Sequence, residues 1–125
     1  GREVEALCKK GYRGAELFGG VDPNADGSRA DVYSSFDQIE NYGDIDCIVD
    51  FRTNGIKGLL EFAKAHSIPT VVATTGHTED ELSAIREASK VIPVFFSGNM
   101  SLGIALLIEL AKITALAMPE AEIEI

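Results

Sequence analysis

The sequence predicts an α/β fold of the doubly wound class, in which helices pack on a parallel β-sheet. Two observations carry this prediction. Short apolar segments alternate with amphipathic helical segments along the chain. In addition, the apolar segments 69–73 and 91–96 are each followed by small or hydroxyl-bearing residues and then by a helix. Parallel sheets bind ligands at the carboxyl ends of their strands, so this position predicts a site for a nucleotide or another small anion.

Length and composition predict one domain with a genuine core. The 125 residues fall within the usual size of a single domain, and 46% of them are hydrophobic. Acidic residues outnumber basic ones by 20 to 11, and the net charge of −9 argues against a surface that follows the phosphates of a nucleic acid. We therefore expect no nucleic-acid partner, and we expect an anionic ligand to be held by backbone N–H groups and a few side chains.

Neither a metal site, a disulfide nor a membrane span is predicted. Cys8 and Cys47 lie in apolar stretches without C-x-x-C spacing, which is typical of reduced, buried thiols in a cytoplasmic protein. The apolar run 102–118 contains Glu109 and Lys112 and is shorter than the ~20 residues that cross a bilayer. This run therefore predicts a buried central helix, and no membrane partner is expected.

The first half of the chain predicts one helix and two strands. Helical periodicity predicts a helix over about residues 2–10. An apolar run predicts a strand over 15–21, which ends at Asp22 and Pro23, two residues typical of a turn. Residues 45–51 have the short apolar form of a strand that is buried on both faces.

The next two helices have recognisable faces or starts. Four apolar residues share one face of the first of them: Ile56, Leu59, Leu60 and Ala63. Thr53 or Asn54 is the predicted N-cap of that helix. Thr78 and Glu81 have the spacing of a capping box, which predicts the start of the second helix.

The end of the chain predicts two strands around the apolar helix. Residues 91–96 form the first of these strands, and Asn99 then leads into the helix, either as its N-cap, as a ligand contact, or as both. Residues 121–125 alternate between apolar and polar side chains, which is compatible with a final strand.

Four segments together carry a resemblance to a known family. They include a Thr-Thr-Gly loop and an Asn-Met-Ser-Leu-Gly helix start, and they cover residues 48–51, 61–64 with 68–69, 73–76 and 96–103. This set resembles the N-terminal domain of the dihydrodipicolinate reductase family. The resemblance implies a Rossmann-like fold and a cytoplasmic oxidoreductase of lysine and diaminopimelate biosynthesis. Such an enzyme reduces a cyclic dipicolinate precursor, a small dicarboxylate, by hydride transfer from NADH or NADPH.

The resemblance also implies which residues bind the cofactor. Ala73, Thr74 and Thr75, with Gly76 closing their loop, would contact the nicotinamide and its ribose, largely through the backbone. The opposing wall of the same crevice would comprise Ser97, Gly98, Asn99 and Met100. Phe51 and Arg52 would border the pyrophosphate and the adenosine. Family members commonly have Gly at the position of Ala73, and backbone contacts tolerate the additional methyl group.

Asp22 has two interpretations. In dinucleotide folds, an acidic residue ~20 positions after the glycine fingerprint accepts hydrogen bonds from the adenine ribose. Asp22 has that spacing if Gly1 is the last glycine of such a fingerprint. A carboxylate there repels the 2′-phosphate of NADPH, so this interpretation predicts a preference for NADH. In the alternative interpretation, Asp22 only starts the turn with Pro23.

The resemblance further implies that other parts of the enzyme lie outside these residues. The first strand and its glycine-rich loop would precede Gly1, and the catalytic histidine and lysine and the substrate loop would follow Ile125. We therefore expect a dinucleotide-binding domain over 1–119, the start of a substrate and oligomerisation domain at 120–125, no catalytic residue here and no turnover from these residues alone. The resemblance also implies that the full-length protein is a homotetramer.

The absent first strand predicts a gap in the sheet. In the strand order 3-2-1-4-5-6 that strand is central, so we expect strand 15–21 to be separated from strand 69–73. Residues outside this sequence, a strand from a partner chain, or residues 121–125 could fill the gap.

The two histidines have modest interpretations. His66 is predicted to be a solvated cation near a helix end. His77 lies on the rim of the predicted ligand site, but a loop position before the Thr78 cap is the favoured interpretation.

Two further functions stay open beside the reductase: a non-catalytic nucleotide-binding regulatory module on the same fold, and a scaffold domain that uses exposed sheet edges.

Overall fold

The structure is a computed structural model that describes residues 1–52 and 54–120. Its helices are α1 (Arg2–Lys9), α2 (Ile56–His66), α3 (Glu79–Ala88) and α4 (Leu102–Ala117). Its strands are β1 (Gly20–Val21), β2 (Val32–Tyr33), β3 (Ile48–Asp50), β4 (Thr70–Val72) and β5 (Val94–Phe96). Short 3₁₀ turns occupy Tyr12–Gly14, Phe36–Gln38 and Tyr42–Asp44. The predicted strand at 121–125 lies outside the described residues.

All strand pairs in the described residues are parallel. β3, β4 and β5 form one sheet in that order, and β1 pairs with β2 in a second, two-stranded sheet. Helices α2 and α3 connect successive strands of the larger sheet. Parallel strands joined by helices confirm the predicted Rossmann-like α/β class.

The core lies between the larger sheet and the helices α2 and α3. Its buried residues are Ile56, Leu59, Leu60, Val72, Ile85 and Ala88. The apolar stripe predicted for α2 is therefore correct, because all four of its residues are buried. Full burial of such a side chain stabilises the fold by roughly 1.5–3 kcal/mol, so this layer holds the larger sheet and its helices together.

The strands are shorter than predicted, and the prediction that residues 45–51 are buried on both faces is wrong. Asp50 is buried, but its neighbour Val49 is 41% exposed, and Phe95, which lies on the same face of the sheet, is 60% exposed. The reason is that α2 and α3 pack on one face of the larger sheet. A continuous apolar run indicates which residues favour burial and does not specify what covers them.

The prediction of a buried central helix at 102–118 is also wrong for this structure. α4 has no buried residue, and Leu102 and Leu116 are 86% and 84% exposed. The helix is apolar on all sides, a pattern that favours burial, but none of the described residues covers it. Among the described residues, no helix has both the length and the hydrophobicity needed to cross a membrane.

The position of the gap differs from the prediction. β4 pairs with β3, and the two separate sheets face each other across a cavity of about 950 Å³ lined by residues of β1 and β3. The predicted strand order placed the gap between β1 and β4 because the sequence pattern does not indicate the two-residue strand β2. With β2 counted, β3 becomes the strand on the far side of the gap.

The helix starts follow their predicted caps in one case of three. Thr78 and Glu81 form the predicted capping box at α3. α2 begins after Gly55, whose φ is +82°, and the predicted alternative Asn54 is not its cap; Thr53 lies outside the described residues. The cap of α4 is Ser101 rather than Asn99.

Candidate functional site

Three loops leave the same edge of the larger sheet. Asp50 pairs with Val72, and Val72 pairs with Phe96, so β3, β4 and β5 end level with one another. The loops that follow contain the predicted cofactor-binding residues of 51–52, 73–76 and 97–100. The register therefore brings these three groups to one edge, as the strand pattern predicted.

The loops after β4 and β5 approach each other closely. A Cβ atom added to Gly98 would lie 3.3 Å from Cγ2 of Thr75. Thr75 is exposed, and Gly76 has a φ of +79°, in the left-handed region that favours glycine. The two loops thus lie in contact at Thr75 and Gly98, and we call the junction between residues 73–76 and 97–100 the crevice.

The two threonines of the first loop have different surroundings. Thr74 is only 8% exposed, and its hydroxyl lies 2.9 Å from Nε2 of His77. Thr75 is exposed at the crevice. The side chain of Thr74 is therefore engaged within the loop, which leaves its backbone groups for the predicted contact with the nicotinamide.

Internal hydrogen bonds shape the second loop. The hydroxyl of Ser97 donates to the carbonyl of Asn99 at 2.8 Å. The side-chain Oδ1 of Asn99 accepts the N–H of Ser101 at 2.8 Å, and Ser101 in turn caps α4 by accepting the N–H of Ile104 at 3.4 Å. Met100 is half-exposed beside them. Asn99 therefore organises the approach to α4 without being its cap.

The loop after β3 contributes an aromatic ring and an ion pair. Phe51 is partly exposed, and a Cβ added to Gly1 would lie 3.9 Å from its ring, so the N-terminus of α1 reaches this edge of the sheet. Arg52 Nε donates to Oδ1 of the buried Asp50 at 2.9 Å, and its guanidinium lies over the ring of Phe36. The guanidinium is thus already paired.

Asp22 stands at the carboxyl end of β1, on the other side of the cavity. Its N–H donates to the carbonyl of Tyr33, and its Oδ1 accepts the N–H of Asn24 at 2.9 Å. This is the side-chain turn geometry of the second interpretation. Asp22 and Phe51 both line the cavity of about 950 Å³.

The structure adds the surroundings of two side chains at this edge that the sequence does not predict. Asp50 ends β3, and its Oδ2 is buried without a hydrogen-bond partner among the described residues. His77 occupies the predicted loop position before Thr78, and its side chain is 3% exposed and lies within hydrogen-bond distance of Thr74. The spacing in the sequence could have indicated this contact, because a histidine three residues after a threonine, with a glycine between them, can fold back onto the threonine.

His66 also differs from its prediction. Its ring lies 3.8 Å from the ring of Tyr42 and 4.6 Å from that of Phe62, measured between centroids. It is therefore part of an aromatic cluster at the end of α2 and is partly buried rather than fully solvated. This cluster lies apart from the loops of the crevice.

Comparison with known proteins agrees with this geometry. A family model described as dihydrodipicolinate reductase, N-terminus, matches residues 1–100. A 4-hydroxy-tetrahydrodipicolinate reductase from Caldanaerobacter subterraneus subsp. tengcongensis is 40% identical over 100% of this chain and 49% of the relative. Proteins of the same name from Clostridium perfringens strain SM101 and Campylobacter lari are 36% and 35% identical over 90% and 80% of this chain.

The chain spans about half the length of the curated relatives that it matches, with 49%, 44% and 43% of these three covered. The family match includes the loops after β3 and β4 and reaches Met100 in the loop after β5. The resemblance inferred from the sequence is thereby confirmed. This chain belongs to the dihydrodipicolinate reductase family and corresponds to its N-terminal domain.

Proposed function

We propose that this chain is the NADH- or NADPH-binding part of a reductase of lysine and diaminopimelate biosynthesis. The enzyme would transfer a hydride from the reduced nicotinamide to a cyclic dipicolinate precursor. The observation that carries the proposal is the crevice between the β4 and β5 loops, with Gly98 against Thr75, in a chain of this family. The names of the relatives, 4-hydroxy-tetrahydrodipicolinate reductase, support the reaction.

The crevice suits a flat ring held by backbone groups. Residues 73–76 would form one wall and residues 97–100 the other. Because Gly98 has no side chain, the walls approach closely, and main-chain N–H and C=O groups would bond to a ring amide. A bound nicotinamide supplies the hydride chemistry, and the role of these residues is to orient the ring and to exclude water from one of its faces.

The cavity beside the crevice suits the remainder of the dinucleotide. The N-terminus of α1 lies against Phe51 in the lining of this cavity, and a helix N-terminus favours the negative charge of a pyrophosphate. Asp22 lines the same cavity at the end of β1, and it would accept hydrogen bonds from the adenine ribose hydroxyls. Its charge favours NADH over NADPH. Arg52 would border the pyrophosphate, although Asp50 already pairs with its guanidinium.

The catalytic groups belong to the remainder of the proposed enzyme. Residues 1–119 would form the nucleotide-binding domain, and 120–125 would begin the domain that binds the dicarboxylate substrate and assembles a homotetramer. The proton donor and the substrate-orienting lysine would come from that domain. We therefore propose a cytoplasmic enzyme without a nucleic-acid or membrane partner, whose N-terminal part alone binds nucleotide but performs no turnover.

The experiment is nucleotide titration and a turnover assay on the full-length protein. Isothermal titration with NADH and NADPH is expected to give binding of at least one of them, and the dipicolinate precursor is expected to cause oxidation of the bound nucleotide. Nucleotide binding without turnover would favour the alternative of a regulatory module on the same fold. Absence of binding to both nucleotides would contradict the proposal and favour a scaffold role.

A further inference from the structure

The ring of His77 lies against the loop after β4, strand β5 and helix α3. Its Nε2 lies 2.9 Å from Oγ1 of Thr74, in the loop after β4. Its ring meets that of Phe96, the last residue of β5, edge to face, with 5.6 Å between the centroids and 67° between the planes. Its Nδ1 lies 3.8 Å from Oε2 of Glu81 in the first turn of α3.

We propose that His77 is a positioning residue, which acts through Thr74 to hold the 73–76 loop in its ligand-binding shape. The proposal rests on the proposed nucleotide site at this loop. It assigns to His77 a role that neither the sequence pattern nor the match to the family contains. The side chain of His77 is 3% exposed and Thr74 is 8% exposed, so their hydrogen bond is shielded from water.

The position of Glu81 assigns the proton on the ring. The capping box fixes Glu81, because its Oε2 accepts the N–H of Thr78 at 2.9 Å. In a singly protonated ring, a negative charge beside Nδ1 favours the tautomer with the proton on that atom. Nε2 of His77 is then free to accept the hydroxyl proton of Thr74.

This hydrogen bond closes a turn around Gly76. Gly76 has a φ of +79°, and the bond between Thr74 and His77 joins the residues on either side of that left-handed position. Thr75 is exposed on the outside of the turn, where it lies against Gly98. Without the bond, the loop would sample other conformations, and a ligand would have to order it at a cost in affinity.

The test first compares three variants with the wild type in the full-length protein. His77→Phe keeps a ring against Phe96 but removes the hydrogen bond, and Thr74→Val removes the same bond from the other side. Each is expected to weaken the affinity for the preferred reduced nucleotide by about fivefold, which is typical of the loss of one hydrogen bond. The double variant is expected to be no weaker than either single variant, because both changes remove one interaction.

Two further variants separate positioning from general structural damage. His77→Gln is expected to bring the affinity back to within about twofold of the wild type, because an amide can bond to Thr74. His66→Phe is the matched control, since it changes the chain's other histidine within the aromatic cluster of α2. It is expected to leave nucleotide affinity unchanged. Wild-type affinity in His77→Phe, or additive losses in the double variant, would overturn the proposal.

Amide hydrogen exchange decides the proposal even if the wild type binds neither nucleotide. In that case the proposed function fails, but the order of the loop is still measurable. The amides of Thr75 and Gly76 are expected to exchange several-fold faster in His77→Phe and Thr74→Val than in the wild type. Equal exchange rates in all three proteins would overturn the positioning role, independently of nucleotide binding.

Discussion

Arg52 lies against Asp50, with Nε donating to Oδ1 at 2.9 Å. Asp50 is 3% exposed, and its other oxygen has no hydrogen-bond partner among the described residues. The backbone N–H of Arg52 also donates to Oδ1, at 3.3 Å. A charged group at the end of β3 is thus stabilised mainly from one side, which makes the fold sensitive to the loss of that partner.

Replacing Arg52 by Met is expected to lower the free energy of unfolding by about 2 kcal/mol, because the buried carboxylate loses its guanidinium. The double variant with Asp50→Asn is expected to recover part of this loss, since no buried charge is left without its partner. Urea unfolding of the full-length protein without nucleotide measures both effects. Unchanged stability of Arg52→Met would show that this ion pair contributes nothing.

The narrowness of the crevice predicts a compensating pair of substitutions. Gly98→Ala places a methyl group 3.3 Å from Cγ2 of Thr75, so the walls must separate by a few tenths of an ångström. Nucleotide affinity is expected to fall about threefold to tenfold, since small displacements at a binding site are costly. Thr75→Ser removes Cγ2, and the double variant is expected to regain most of the affinity.

The control for this pair is Gly43→Ala, because among the described residues no atom beyond its own chain neighbours lies within 4 Å of a Cβ at Gly43. It is expected to bind nucleotide like the wild type. Isothermal titration of the wild type, Gly98→Ala, Thr75→Ser, their double variant and Gly43→Ala with nucleotide measures these affinities. If Gly98→Ala binds as tightly as Gly43→Ala, the close approach of the two loops is not important for the ligand.

The capping box predicts a pH dependence of stability. The backbone N–H of Thr78 holds the pKa of Glu81 below its ordinary value of 4.5. Since the folded state favours the ionised carboxylate, the stabilisation is present above pH 4.5 and is lost as the pH falls through the lowered pKa. Between pH 5 and pH 3, the melting temperature of Glu81→Gln is expected to fall less than that of the wild type, as measured by circular dichroism. Identical pH profiles would contradict this.

The core and the exposed helix predict opposite responses to the same substitution. Leu60→Ala is expected to lower the free energy of unfolding by about 2–5 kcal/mol, because Leu60 is 2% exposed between α2 and the sheet. Leu116→Ala, at an exposed position of α4, is expected to change it by less than about 0.5 kcal/mol. Thermal unfolding measures both. Equal losses would mean that α4 is packed as tightly as the core.

Local patterns in the sequence predicted the larger sheet and its helices. The apolar face of α2 follows from the helical period, and the start of α3 follows from Thr78 and Glu81, whose side chains satisfy backbone groups within one turn. The edge at which the site residues meet also followed from the sequence, because parallel strands must end on one side. Each of these features depends on residues close together in the chain.

Features that depend on distant residues were not predictable. β2 has only two residues, and its pairing with β1 depends on the chain returning after a loop of ten residues. The exposure of α4 depends on which other elements reach it, and its composition carries no such information. The role of His77 depends on the bend at Gly76, which brings its ring onto Thr74.

Nucleotide-induced changes in amide chemical shifts test the central claim most directly. The ¹⁵N-labelled full-length protein would be titrated with NADH, and the shifts would be assigned residue by residue. We expect the largest changes at Thr75, Gly76, Gly98 and Asn99, which form the two walls of the crevice, with smaller changes at Phe51. Changes confined to other surfaces, or none at all, would contradict the placement of the nicotinamide between the β4 and β5 loops.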